Sequence, residues 1–178
     1  MSQIRKQSII SSMVVYIGFA IGFLNTYLFT REGGFTQAEY GLTGIFMAIA
    51  NIMYSFANLG MVAYVYKFYP YYNDNLPQKK NDQITWALLF SLIGFSLVII
   101  AGILFKDLVI RKYGTNSPDF VKYYYYIFPF GLGLTLFAIL EAYAWQIKKA
   151  VLSNFLREIQ FRVFTTILII LSFTGFIA

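Results

Sequence analysis

Long apolar blocks separated by short polar connections constrain this chain more than any other feature. Five blocks, at about 8–29, 40–66, 84–105, 123–146 and 163–178, recur through the 178 residues. A helix rises 1.5 Å per residue, so about twenty residues cross a hydrocarbon core of ~30 Å. The apolar residues fall in continuous runs and not in the one-sided stripes of a water-soluble helix. The expected fold is therefore all-α: a polytopic transmembrane helix bundle of about five spans, forming one domain over residues 1–178. The last block reaches only about 24 Å as a helix, which predicts a chain truncated at its C-terminus.

Composition agrees. Hydrophobic residues make up 58% of the chain and charged residues 12%, about half the ~25% of a soluble domain. The net charge of +6 does not form the polar basic surface of a nucleic-acid binder, because the basic residues sit between apolar blocks. The chain has no Cys and no His. This removes thiolate metal sites, disulfides, the commonest general base and the commonest transition-metal ligand. No paired carboxylates, P-loop or Gly-x-Ser-x-Gly element is present, so the expectation is a protein that is not an enzyme and needs no metal or cofactor.

The apolar N-terminal stretch is too long for a signal-peptide core and reads as a retained first span. Placing the N-terminus inside leaves nine basic residues on inner segments (Arg5, Lys6, Lys67, Lys79, Lys80, Lys148, Lys149, Arg157, Arg162) and five on outer ones (Arg31, Lys106, Arg111, Lys112, Lys122). The positive-inside rule then predicts a cytoplasmic N-terminus.

Along the chain, Gly18 and Gly22 form a small-residue pair that admits a close helix. Asn25, near the end of the first span, fits an interhelical hydrogen bond or a substrate contact. The turn 30–37 carries the adjacent Gly33 and Gly34, and Thr36 with Glu39 has capping-box spacing. Asn51 and Asn58, seven apart in the second block, are expected on one helix face. Lys67 closes that block, and residues 67–83 read as a polar loop. The four tyrosines 123–126 read as an interfacial aromatic belt, and Pro129 sits where a helix start tolerates it. Glu141 is the acidic residue inside an apolar block, a default candidate for ion coupling. Residues 147–162 alternate basic and apolar positions as a surface-lying amphipathic connector would.

Three groups of residues carry a family resemblance. A basic N-terminus leads into a Gly-containing first span, 18–25. Thr36, Glu39-Tyr40-Gly41-Leu42, Phe46, Ala48 and Asn51 open the second block. Asn58-Leu59-Gly60, Ala63, Lys67-Phe68-Tyr69-Pro70 and Tyr72 close it. In these the chain resembles the polysaccharide flippases, the O-antigen and teichoic-acid-type transporters of the multidrug/oligosaccharidyl-lipid/polysaccharide exporter superfamily. The resemblance implies part of a six-helix half of a two-bundle fold around a central cavity, with a second bundle or an oligomer completing it. It implies a flippase in the inner (cytoplasmic) membrane for polysaccharide or lipopolysaccharide biosynthesis, moving a polyprenyl-pyrophosphate-linked sugar.

That substrate needs cations for its pyrophosphate and amides and aromatic rings for its sugar. Lys67, Arg5 and Arg31 near span ends and Asn25, Asn51 and Asn58 within spans are the binding candidates. Simpler roles stand beside these: Lys67 snorkelling to headgroups, the asparagines bonding neighbouring helices, and Glu141 pairing with a lysine. The competing functions are a multidrug/cation antiporter and a non-transporting membrane assembly partner.

Overall fold

The computed structural model describes residues 3–31, 34–77 and 80–174, with side chains from Arg5 onward. Gly33, Lys79 and the end of the fifth apolar block lie outside the described residues. Among the described residues the chain is all-helical, without strands. Four helices among the described residues are long and apolar enough to cross a membrane: Arg5–Thr30, Gln37–Ala57, Gln83–Leu104 and Tyr124–Gln146. Their outward faces carry large apolar side chains such as Phe19, Phe23 and Phe56, each 70% exposed or more. A water-facing helix does not sustain that pattern, whereas a lipid-facing one requires it. The protein is an all-helical membrane protein.

Two compact units form, Met1–Tyr40 with Ile147–Ala178, and Gly41–Gln146. In the first, α1 (Gln3–Thr30) packs along a helical run near the C-terminus. That run is α8 (Ala150–Phe155), a π turn (Leu156–Gln160) and α9 (Phe161–Phe173) without interruption. The expected surface connector is thus not a separate piece: helical φ and ψ at Leu156 and Phe161 carry it into the fifth block. Gly18 and Gly22 make the close approach possible. A methyl group at Gly18 would stand 2.6 Å from the carbonyl oxygen of Glu158, and one at Gly22 would lie 3.3 Å from the Arg162 side chain. Aromatic rings close the end of this unit: Phe29 meets Phe35 (4.8 Å) and Tyr40 (5.7 Å), and Phe35 meets Phe173 (5.8 Å). The capping box at the helix that starts at Gln37 forms: the Thr36 amide donates to Glu39 (2.7 Å) and the Glu39 amide to the Thr36 hydroxyl (3.2 Å).

The second unit holds most of α2 (Gln37–Ala57), then α3 (Met61–Asn75), α4 (Gln83–Leu104), α5 (Lys106–Tyr113), α6 (Pro118–Lys122), a 3-10 turn (Tyr124–Tyr126) and α7 (Ile127–Gln146). The second block is therefore not one helix over 40–66. It breaks at Asn58-Leu59-Gly60, where Leu59 (φ 46°) and Gly60 (φ 77°) adopt left-handed backbone. Glycine takes that conformation without steric cost, and helices commonly end on it. Most of the expected polar loop is helical instead, because α3 carries on through Pro70 to Asn75. Val65, Ala87, Ile139 and Ala142 join α3, α4 and α7. A second cluster, with Met53, Phe95, Phe120, Tyr124 and Phe128, gathers α2, α4, α6 and α7. Pro129 falls at the third position of α7, where its missing amide has no partner to lose.

Candidate functional site

Within the first unit, the helix pair encloses a polar seam between apolar faces. Its residues repeat at one helical face on each side: Gly18, Gly22 and Asn25 on α1, and Glu158, Arg162 and Thr166 opposite. Asn25 is 7% exposed. Its amide nitrogen donates to the Arg162 carbonyl (2.9 Å), and its amide oxygen accepts from the Thr166 hydroxyl (2.6 Å). Arg162 pairs with Glu158 at 3.0 Å.

The π turn lies beside Gly18. An extra residue in the turn displaces the regular carbonyl pattern, and such turns concentrate at functional positions. Asn25 is thus an interhelical hydrogen-bonding residue. The charged residues opposite it, Glu158 and Arg162, are not among the sequence candidates, because they belong to a stretch that reads as a polar connector when the π turn is not known. The spacing of four between Glu158, Arg162 and Thr166 was the available signal.

Arg5 lies at the start of α1, about 30 Å of helix from Asn25. Arg31, just past the other end, holds its guanidinium 5.0 Å from the Phe173 ring. The three first-unit candidates are therefore spread along one helix and do not converge.

In the second unit, Asn51 and Asn58 do not share a helix face, since the helix ends between them. Asn51 is exposed and its side chain donates to the Met47 carbonyl one turn back (2.8 Å). Asn58 accepts from the Val62 amide (3.0 Å), satisfying one of the free donors at the start of α3. Both amides serve the backbone locally.

Lys67 is exposed on α3, with its ammonium 5.5 Å from the Phe68 ring. Glu141 is half-buried on α7. α3 and α7 pack together through the Tyr66–Trp145 and Tyr69–Tyr143 ring pairs. This brings the helices of the cationic and anionic candidates side by side.

Around α3 the site is aromatic and hydroxyl-rich. The Tyr64 and Tyr72 hydroxyls are hydrogen-bonded at 3.0 Å. With Met61, Trp86 and Phe90 they line a hollow of about 260 Å³. The Trp86 indole N–H is tied to Asp82 (2.8 Å).

Behind them Gln83, fully buried, donates to the Val65 carbonyl (3.1 Å). Pro70 lacks the amide that would bond Tyr66, and its ring crowds that carbonyl. The Gln83 side chain ties the start of α4 to α3 at the residue before that carbonyl. Its own amide oxygen has no partner among the described residues. Among them no group of three or more His, Cys, Asp or Glu side chains could hold a metal ion.

No protein-family model, curated protein or solved structure matches the chain.

Proposed function

We propose that the protein is a flippase-type membrane transporter, or one bundle of one, that moves lipid-linked oligosaccharide precursors across the cytoplasmic membrane. The observation that carries this reading is α3. The Asn58-Leu59-Gly60 break separates from α2 a short helix bearing Tyr64, Tyr66, Lys67, Tyr69 and Tyr72. A polyprenyl-pyrophosphate sugar needs this mixture: a cation for the phosphates, and rings and hydroxyls for the sugar. The segment 58–72 is also where the resemblance to the polysaccharide flippases is most specific.

In this reading Lys67 contacts phosphate and Glu141 is the coupling carboxylate. Glu158 is a second acidic side chain on a long helix, but Arg162 at 3.0 Å balances its charge. It therefore adds nothing to the antiporter alternative. The first and fifth blocks cross with the N-terminus cytoplasmic, and a further helical bundle or a second copy completes the cavity.

The test is complementation of a host that lacks its own oligosaccharide flippase. Surface polysaccharide should be restored by the wild-type protein and reduced about tenfold or more by Lys67→Ala and by Glu141→Gln at equal membrane levels, a rise of ~1.4 kcal/mol in the transport barrier. Failure of the wild type to restore export overturns the function. Full export by both variants removes Lys67 and Glu141 from it.

A further inference from the structure

Residues 105–126 join the ends of two candidate spans, α4 and the helix that begins at Tyr124, so they lie at one membrane face. The segment is held from inside. Phe120 is fully buried and meets Tyr113 (5.3 Å) and Tyr124 (6.0 Å), and the Tyr124 hydroxyl donates to the Gly102 carbonyl (2.8 Å).

What remains outward is neither a water-facing nor a tail-facing surface. It presents Leu108 (58% exposed), Tyr125 (59%) and Tyr126 (68%) together with Arg111, Lys112 and Lys122. Three lysines each rest over a tyrosine ring: Lys106 over Tyr125 (4.6 Å), Lys112 over Tyr113 (5.7 Å) and Lys122 over Tyr123 (5.0 Å). The Lys106 ammonium also donates to the Tyr125 hydroxyl (2.7 Å), which raises its pKa above the ordinary lysine value. The two carboxylates of the segment, Asp107 and Asp119, lie in the first turns of α5 and α6, while Arg111, Lys112 and Lys122 lie in the last turns. Four basic residues against two acidic ones leave the surface cationic.

Lysine stems and tyrosine rings together match the boundary between headgroups and acyl chains. The rings lie at headgroup level and the ammonium groups reach toward phosphate. We propose that residues 105–126 form a headgroup-level anchor that binds anionic phospholipid in preference to zwitterionic phospholipid. The occupant is identified by charge complementarity: a cationic face that also exposes leucine and tyrosine is covered on both counts by an anionic lipid. This anchor is independent of transport, since it involves neither Lys67 nor Glu141.

The absence of cysteine in the chain makes a clean test available. Asn116→Cys, in the exposed turn between α5 and α6, gives one labelling site for a fluorophore on the full chain. The labelled protein is reconstituted in nanodiscs of equimolar phosphatidylglycerol and phosphatidylcholine, and either lipid carries a nitroxide quencher high on its acyl chain. Quenching by phosphatidylglycerol should exceed that by phosphatidylcholine on the order of 5-fold, as one or two unbalanced cations at a lipid surface allow. The triple variant Lys106→Gln/Lys112→Gln/Lys122→Gln should quench equally with both lipids, and the corresponding triple arginine variant should keep the preference. High salt should reduce the wild-type preference. Equal quenching by the two lipids in the wild-type protein overturns the proposal whatever the variants do. So does an undiminished preference in a folded glutamine variant.

Discussion

Two glycines four residues apart do different work at the α1 seam. A methyl group at Gly18 would meet backbone, the Glu158 carbonyl at 2.6 Å, whereas one at Gly22 would meet the flexible Arg162 side chain at 3.3 Å. Backbone within a packed helix pair cannot give way cheaply, while a long side chain can rotate aside. Gly18→Ala is therefore expected to destabilise the protein by about 1–3 kcal/mol, and Gly22→Ala by no more than about 0.5 kcal/mol. Thermal unfolding in mild detergent should show a lowered midpoint for the first and a nearly unchanged one for the second. Equal midpoints would mean that the helices are not in contact at Gly18. The sequence pattern identified the pair as a packing site without distinguishing its members, because the distinction depends on what stands opposite each glycine.

At the scale of the element, the break between α2 and α3 decides where the aromatic and basic residues of the site stand. A Cβ at Gly60 would meet nothing within 4 Å, so the cost of replacing it is set by its left-handed backbone. Forcing a β-branched residue into left-handed backbone costs about 1–2 kcal/mol, and Gly60→Val should lose that much. Asn58→Ala removes the acceptor for the Val62 amide and should cost about 1 kcal/mol. Chemical unfolding of the two single variants measures both. A stabilised Gly60→Val protein would mean that α2 and α3 are one continuous helix. The break was legible as Asn-Leu-Gly, a sequence that commonly ends a helix. The hydrophobicity of residues 40–66 masks it, since an average over a window is not lowered by a single turn. Residues 67–83 are polar and carry no apolar run, yet α3 continues through Pro70 to Asn75.

For the whole molecule, the most distant association is that of the two chain ends. Asn25 and Arg162 are hydrogen-bonded across 137 positions, so the first and last parts of the chain belong to one unit. In an otherwise cysteine-free protein, Asn25→Cys with Thr166→Cys should cross-link in membranes with a short thiol reagent. Asn25→Cys with Phe164→Cys, whose second position is 56% exposed, should not. Equal yields from the two pairs would exclude the seam. No local pattern announces this association: apolar blocks are alike in composition, and lipid tails satisfy any of their faces as well as another helix does.

By itself the sequence determined the helical class, the membrane environment and the capping box at Thr36. These follow from the local chemistry of apolar length, backbone hydrogen bonding without water and one reciprocal side-chain contact. It also marked Asn25 as a bonding residue and Gly18 with Gly22 as a close approach. Only the tertiary structure decided that these three face Glu158, Arg162 and Thr166. It likewise placed Asn58 as a cap and not a face-mate of Asn51, and brought the helices of Lys67 and Glu141 together. Such pairings join residues that are remote in the chain, and their energies come from which atoms stand opposite one another. A linear pattern of residue types carries that information only where the partner is a turn or two away.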